Sequence, residues 1–231
     1  TRMGMGKLAK EFLSPEMDKK IILNHQECIN ELDEKVEFRH QFLAKGMDVE
    51  EEPDVYKSLI DWMYEDDLFY PQTIFKLLRF VFPILNILCI VLAFANIFPW
   101  SAPALSLILS LGIVGLYTKK INRLHVIVSK KSKVLSKYGR LIREIEAQEF
   151  DYYGLKQLQE KLKSKSIKAA RVVEKLSSIL NSLDSRLNIF AGVLLNAIAI
   201  WDIQQIYRLE KWKHTHRAKL ADWFDVIGQF D

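Results

Sequence analysis

The segment FVFPILNILCIVLAFANIFPWSAPALSLILSLGIVGLYT, from Phe80 to Thr118, contains no Asp, Glu, Lys, Arg or His. A helix needs about 20 apolar residues to cross a bilayer core of about 30 Å, so this segment is long enough for two passes. The alternative is a helical hairpin buried in a soluble core. A hairpin that is apolar on all faces would need a larger protein shell than the rest of the chain supplies. We therefore predict that the segment lies in a membrane.

The middle of the segment, NIFPWSAP (Asn96–Pro103), has the composition of a turn between two helices. Pro99 and Pro103 interrupt helices, and Pro103 is well placed in the first turn of a second helix. Trp100 is a residue type that favours the membrane–water interface. The two predicted spans cover residues of about 80–98 and 104–118.

Positive charges flank the predicted hairpin on both sides, whereas its turn carries none. Lys76 and Arg79 precede it, and Lys119, Lys120 and Arg123 follow it. Positive flanks stay in the cytoplasm, so we predict a multi-pass protein of the cell membrane with both flanks cytoplasmic. The second span is short. Either it is extended by Lys119 and Lys120 reaching towards the headgroups, or the hairpin does not cross fully.

Outside the apolar segment the composition favours long helices. The 231 residues include only 9 Gly and 6 Pro, and 27% are charged. The two cysteines, Cys28 and Cys89, form no disulfide framework, which is typical of a reducing compartment. The chain begins at Thr1 without a secretion signal, and we expect it to be part of a longer protein. We predict an all-α fold with an elongated helical core, long lever helices and an apolar transmembrane helical hairpin. The predicted parts are residues 1–70 (helical core), 71–128 (membrane hairpin) and 129–231 (C-terminal lever and core helices).

Two blocks of opposite charge lie beside the hairpin. Residues 48–67 contain nine acidic residues and one Lys, and residues 119–143 contain nine basic residues and no acid. A basic cluster next to a membrane attracts anionic headgroups. The two blocks could instead pair with each other, or the basic block could bind nucleic acid, although it lacks interleaved aromatic residues. The candidate contacts to lipid headgroups or phosphate are Lys119, Lys120, Arg123, Lys130, Lys131 and Lys133.

The strongest periodicity in the chain lies in its C-terminal part, where apolar residues alternate in steps of four and three. This spacing is that of a coiled-coil seam and requires a partner helix. We predict one continuous helix from about Ile167 to Lys213, with Leu187 fully buried. The residues of the seam are Leu176, Leu180, Leu183, Leu187, Phe190, Leu194, Ala197 and Trp201.

Near the centre of this predicted helix, from Asn188 to Trp201, the residues are apolar almost all round. Such a segment should be central and buried. A third membrane pass is the alternative, but Asp184, Arg186 and Asp202 bracket the apolar stretch closely. It is also shorter than a complete span requires. We therefore expect a buried helix here.

Motifs for catalysis, metal binding or nucleotide binding are not recognisable in the sequence. GMGKL (Gly4–Leu8) lacks the Ser or Thr of a phosphate loop and follows no predicted strand, so we expect a helix there. His214 and His216 are two residues apart and point to different helix faces, which makes them a poor metal pair. We predict that this chain is not an enzyme and holds no catalytic, cofactor-binding or metal-binding residue.

Both ends of the chain resemble a known family. MGKLAKEFL (Met5–Leu13) and ILNHQECINEL (Ile22–Leu32) resemble the entry to the core helical domain of MutS-type mismatch-repair ATPases, with His25 where Arg is common. The segment LLNAIAIWD…RLEKWK…WFDVIGQFD, within residues 194–231, is similar to the part of a membrane-associated MutS-like subfamily that leads into the ATPase domain. Together these matches cover about half of the chain.

The resemblance implies a helical core with levers, followed by an ATP-binding domain. This chain has no phosphate loop and no mismatch-reading domain with its Phe-x-Glu motif, and an apolar hairpin stands where a DNA clamp would extend. The implied function is a lever and membrane-anchor module that couples the nucleotide state of its own ATPase domain to the membrane. The alternatives are a DNA-binding repair module tethered by the hairpin, or a structural membrane coiled-coil protein. ATP and Mg²⁺ would belong to the parent protein, and membrane lipid, a second copy of the chain and DNA are the partners to consider.

Overall fold

The computed structural model describes residues 1–48, 55–129, 131–164, 167–184 and 188–231. These residues are helical apart from loops and one antiparallel pair of two-residue strands, β1 (Lys163–Ser164) and β2 (Ile167–Lys168). The prediction of an all-α chain is therefore confirmed. The helices are α1 (Arg2–Leu13), α2 (Lys19–Glu34), α3 (Val36–Met47), α4 (Val55–Tyr64), α5 (Thr73–Phe94), α6 (Ser101–Ser129), α7 (Ser132–Ala147), α8 (Tyr153–Leu162), α9 (Ala169–Asp184), α10 (Ile189–Ala199) and α11 (Trp201–Phe230).

Local sequence signals account for several of the helix ends. Ser14 closes α1, and the Asp18 side chain accepts a hydrogen bond of 2.8 Å from the Lys20 N–H, which caps the start of α2. GMGKL lies inside α1 and is helical. α5 begins two residues after Pro71 and contains Pro83 within the helix.

The chain divides into two compact units, each assembled from separate stretches of sequence. Unit 1 comprises Thr1–Trp62, Lys131–Ser177 and His216–Asp231, and unit 2 comprises Met63–Lys130 and Ser178–Thr215. Unit 2 contains the two apolar helices α5 and α6 together with α10.

Unit 1 has an ordinary apolar core. α7 packs against α3, and α2 packs against α8. The buried face of α7 includes Leu135, Leu141, Ile142 and Ile145, which are fully enclosed. An aromatic cluster adds to this core: the ring centroids of Phe38 and Phe150 lie 5.6 Å apart in an edge-to-face arrangement. The core of unit 1 is therefore apolar.

A partly buried carboxylate connects two parts of unit 1. Glu31 on α2 accepts hydrogen bonds from the backbone N–H groups of Asp151, at 2.7 Å, and Tyr152, at 2.8 Å. Burial alone would raise the pKa of Glu31, but these two N–H donors and the Lys35 ammonium outweigh it and lower the pKa. The Glu31 carboxylate thus satisfies the two N–H groups that precede and begin the turn into α8.

The prediction of one continuous helix from Ile167 to Lys213 is wrong. α9 ends at Asp184, α10 runs only from Ile189 to Ala199, and α11 begins at Trp201. Ile200 separates α10 from α11 in the left-handed conformation, with φ 44° and ψ 46°, and the axes of these helices differ by 80°. Leu187, the centre of the predicted seam, lies outside the described residues, as does Arg186.

The seam itself changes character along its length. Leu176, Leu180 and Leu183 on α9 are buried, as a coiled-coil face predicts. On α10, by contrast, Phe190 is 89% exposed and Leu194 is 61% exposed. The expectation that the helix is central and buried around these two residues is therefore wrong.

Candidate membrane-inserted site

Two helices of unit 2 are long and apolar enough to cross a membrane, and they are consecutive in the chain. The candidate spans are Thr73–Phe94 and Ser101–Val126. At 1.5 Å per residue they are about 33 and 39 Å long, against a hydrocarbon core of about 30 Å. They pack against each other as a hairpin, as predicted. The second span extends past Lys119 and Lys120, and both of these side chains are exposed.

The turn of the hairpin is built by residues 95–100. Asn96 adopts a positive φ of 57°, a conformation that Asn tolerates better than most residues. The backbone N–H groups of Ile97 and Phe98 donate to the Leu92 carbonyl and close the end of α5. The rings of Phe94 and Trp100 meet edge to face at a centroid distance of 5.0 Å. The turn is thus apolar and closed by its own backbone.

The hairpin reverses the usual distribution of polar and apolar side chains. Large apolar residues point outwards on both helices: Ile84 and Ile108 are each 64% exposed and Leu116 is 80% exposed. Asn86 and Ser110, in contrast, have no exposed surface. Soluble proteins rarely expose this much apolar area, and where they do, the exposed area is usually an interaction surface.

The buried polar side chains of the hairpin bond to one another and to the backbone, except that Asn86 Oδ1 has no hydrogen-bond partner among the described residues. The Asn86 amide donates to Ser110 Oγ at 2.9 Å. Ser110 Oγ donates to the Ser106 carbonyl at 3.0 Å, and Ser106 Oγ donates to the Pro103 carbonyl at 2.9 Å. Such internal pairing is required where no water can reach.

The segment that enters α5 is held by two charged residues of α11. The Glu210 carboxylate accepts the backbone N–H groups of Leu68, Phe69 and Tyr70 at 2.6–2.9 Å. One turn further along α11, Lys213 Nζ lies 2.7 Å from Asp67 Oδ1 and donates to the Glu65 carbonyl at 2.7 Å. These contacts fix the chain just before α5, the first candidate span, begins. The sequence did not indicate them, because Glu210 and its three donors are about 140 residues apart in the chain.

The structure divides the predicted basic cluster into two groups. Lys119, Lys120 and Arg123, next to the hairpin, are exposed, and within the described residues they form no ion pair. Lys133 is exposed as well, whereas Lys130 lies outside the described residues. These exposed cations are the part of the cluster that a headgroup could reach.

The remaining basic residues of the block are engaged within the protein. Lys131 is buried, and its Nζ donates to the Ser58 carbonyl at 2.7 Å. Arg140 pairs with Asp48, which belongs to the acidic block, and Arg143 pairs with Glu174. Internal pairing of the two charge blocks therefore exists at Arg140, and among the described residues the cations nearest the hairpin do not take part in it.

Other residues considered from the sequence are not brought together. Cys28 is partly buried in unit 1 and Cys89 is buried in the hairpin, and both thiols are free. Among the described residues, no group of three or more His, Cys, Asp or Glu side chains is arranged to hold a metal ion.

Comparison of the chain with protein-family models, with curated proteins and with solved structures finds no match. The relationship to MutS-type ATPases therefore stays a prediction from the residues that carry it.

Proposed function

We propose that this chain is a membrane-anchor module in which α5 and α6 cross the bilayer as a hairpin, with both flanks on the cytoplasmic side. The observation that carries this proposal is the reversed hairpin, with large apolar side chains outside and Asn86 and Ser110 enclosed between helices. In water such a surface would drive aggregation, whereas in lipid it is the expected outer face. The orientation rests on the positive residues in the first two turns of α5 and in the second half of α6.

Labelling of the turn tests this topology. Ser101→Cys is introduced into a chain in which Cys28 and Cys89 are replaced by Ser, and intact cells are treated with a membrane-impermeant maleimide. We expect Ser101→Cys to react from outside. Tyr153→Cys, an exposed site in unit 1, should react only after the membrane is permeabilised. Protection of Ser101→Cys while an external control protein is labelled would show that the hairpin does not cross.

The exposed cations next to the hairpin contribute a second element of the anchor. Lys119, Lys120 and Arg123 follow the apolar part of α6 directly and have no internal ion pair among the described residues. Each cation near an anionic membrane surface contributes about 1 kcal/mol of attraction. We propose that these three residues contact anionic headgroups on the cytoplasmic side and set the depth of the second helix.

We further propose, on the resemblance of both ends, that the helical core acts as a lever for a MutS-like ATPase domain of the parent protein. One structural observation favours this candidate. The N-terminal and C-terminal segments that carry the resemblance pack together in unit 1: Lys7 Nζ lies 2.6 Å from Asp225, and a Cβ at Gly228 would lie 3.1 Å from Met3 Cβ. The N-terminal segments that carry the resemblance and the C-terminal WFDVIGQFD therefore lie within one compact unit.

The parent protein provides the test of this second proposal. We expect its ATP hydrolysis to need Mg²⁺ and to change in rate when the protein is moved from detergent into liposomes. The isolated chain should bind no ATP at micromolar concentration by calorimetry. Tight DNA binding with a steep dependence on salt would favour the tethered repair module instead, since phosphate contacts release counterions. A parent protein without ATPase activity would favour a purely structural membrane protein.

A further inference from the structure

The short helix α10 lies against the membrane hairpin. It packs against both α5 and α6. Its sequence, IFAGVLLNAIA, contains no charged residue. Its 11 residues give a length of about 16 Å, roughly half of the hydrocarbon core. α10 is thus apolar like a membrane helix but too short to cross.

The two faces of α10 differ in the size of their side chains. Its hairpin-facing residues are small: Gly192, Asn196 and Ala197 are buried. Small residues allow helices in lipid to approach closely. Its opposite face is large, apolar and exposed, and consists of Ile189, Phe190, Val193 and Leu194. In water, an exposed apolar face of this kind would promote aggregation. The exposed apolar faces of α5 and α6 lie in the same unit as this face.

α10 ends abruptly at Ile200. A β-branched residue in the left-handed region is strained, so a conformation of this kind persists only where surrounding contacts enforce it. α11 leaves the break at 80° to α10, and the last carbonyls of α10 therefore lose the partners that a continued helix would give them. A helix that ends within a bilayer needs protein donors for these carbonyls, because no water is present.

Those donors are supplied by side chains. Asn86 Nδ2, in the middle of α5, lies 3.0 Å from the Ala197 carbonyl oxygen and 2.8 Å from the Ile198 carbonyl oxygen, and its two N–H groups are shared between these carbonyls and Ser110 Oγ. Gln204 Nε2 donates to the Ala199 carbonyl at 2.7 Å. Asn86 has no exposed surface and would be costly in a membrane helix without this role.

The other side of the break is capped in the same way. Asn196 Oδ1 accepts the backbone N–H of Asp202 at 2.9 Å, at the start of α11. Asp202, which borders the apolar stretch, therefore belongs to the capped break through its backbone N–H. The arrangement is that of a discontinuous membrane helix, in which irregular backbone is tolerated because the protein satisfies it.

We infer that α10 is a re-entrant half-helix that inserts into the bilayer beside the hairpin and presents Ile189, Phe190, Val193 and Leu194 to lipid acyl chains. This inference rests on the proposed membrane location of α5 and α6. It adds a third inserted element and assigns Asn86 as the residue that holds the end of that element.

Spin-label accessibility in liposomes tests the inference. Phe190→Cys and Leu194→Cys are made in the chain with Cys28 and Cys89 replaced, and are labelled with a nitroxide. Ile87→Cys on the exposed face of α5 is the lipid-facing control, and Tyr153→Cys in unit 1 is the aqueous control. We expect both α10 labels to be relaxed by oxygen, like position 87, and several-fold less by a water-soluble nickel chelate than position 153. Nickel accessibility at 190 and 194 equal to that at 153 would overturn the inference.

The controls separate this result from the topology itself. If position 87 is accessible to the nickel chelate, the proposed membrane location of the hairpin is rejected, and the half-helix with it. If position 87 is in lipid and position 190 is in water, only the half-helix is rejected.

Replacement of the capping donor gives an independent test. Asn86→Leu removes both hydrogen bonds to α10, and we expect the label at position 190 to gain nickel accessibility several-fold while the label at position 87 stays in lipid. Ser106→Ala is the matched control, because its hydroxyl bonds only to the Pro103 carbonyl within α6. An unchanged label at position 190 in Asn86→Leu would show that Asn86 does not hold α10 in place.

Discussion

α7 in unit 1 and α5 in unit 2 bury opposite kinds of side chain. α7 encloses Leu141 and Ile145 and keeps Arg143 at the surface. α5 encloses Asn86 and leaves Ile84 largely exposed. The two helices therefore bury opposite kinds of side chain, as expected for one helix in water and, under the proposed membrane location, one helix in hydrocarbon.

The comparison also explains what the buried polar groups do. In unit 1 the Glu31 carboxylate satisfies two backbone N–H groups at the edge of the core, close to water. In unit 2 the Asn86 amide satisfies two carbonyls at a helix break enclosed by apolar helices. A missing partner is costlier in the second setting, because water cannot replace it.

The largest effect should follow from a charge in the core of unit 1. Leu141→Asp places a carboxylate where the side chain is fully enclosed. We expect a loss of more than about 4 kcal/mol of stability, sufficient to unfold unit 1. Hydrogen exchange of α7 peptides in the detergent-solubilised chain would measure it. Ala147→Asp, at the exposed end of the same helix, should keep its protection within about 1 kcal/mol. Equal protection in the two variants would mean that α7 is not core.

A second substitution compares two residues that are both apolar and exposed. Ile84→Lys on α5 and Met17→Lys in unit 1 make the same change at 64% and 86% exposure. If α5 lies in lipid, Ile84→Lys should cost about 2.5–3.5 kcal/mol of insertion, whereas Met17→Lys should be neutral. The fraction of each variant that resists alkaline extraction from membranes would report the difference. Equal extraction of the two variants would place Ile84 in water.

The hairpin could be predicted from sequence because its signals are local. The uncharged run, the prolines of the turn and the flanking cations are all read within about 50 consecutive residues. Ser14, at the end of α1, and Asp18, which caps the start of α2, are local signals of the same kind. Such signals act through the backbone of the residues that carry them.

The break at Ile200 could not be predicted, because its cause is distant in the chain. Ile is among the residues least suited to the left-handed conformation, and the apolar spacing continues across it without interruption. The Asn86 amide, more than 100 residues earlier, satisfies the freed carbonyls. The split of the basic cluster into exposed and engaged residues could not be predicted for the same reason. Lys131 bonds to the Ser58 carbonyl, which lies in another helix and is distant in the chain.

The pH dependence of unit 1 should reflect the carboxylate that ties α2 to α8. The pKa of Glu31 is lowered in the folded chain, so its contribution is complete above the ordinary Glu pKa of about 4.3. It is lost as the pH falls from there through the folded pKa, because protonation removes the charge that the N–H donors stabilise. Glu31→Gln should cost about 1–3 kcal/mol at pH 7 and progressively less in acid.

Hydrogen exchange of α8 peptides between pH 7 and pH 3, corrected for the intrinsic exchange rate, would measure how the stability difference between Glu31→Gln and the parent chain shrinks in acid. Glu149→Gln, at an exposed position nearby, is the matched control and should behave like the parent chain throughout. A constant difference between Glu31→Gln and the parent at every pH would show that the carboxylate acts through shape rather than charge.

The smallest effect concerns the cations that border the hairpin, and it separates lipid binding from internal pairing. Lys119, Lys120 and Arg123 are exposed, whereas Arg140 and Arg143 pair with Asp48 and Glu174. Replacing the first three by Gln should reduce the preference of the chain for spin-labelled phosphatidylserine over phosphatidylcholine by up to about 1 kcal/mol per residue. Salt should also reduce the preference of the parent chain, because exposed charges are screened.

The control is the double variant Arg140→Gln with Arg143→Gln, which removes two positive charges from the same block but should leave lipid selectivity unchanged. If both sets of variants lower selectivity equally, the attraction comes from the charge of the whole block. If neither set does, the cations beside the hairpin are solvated and contact no headgroup.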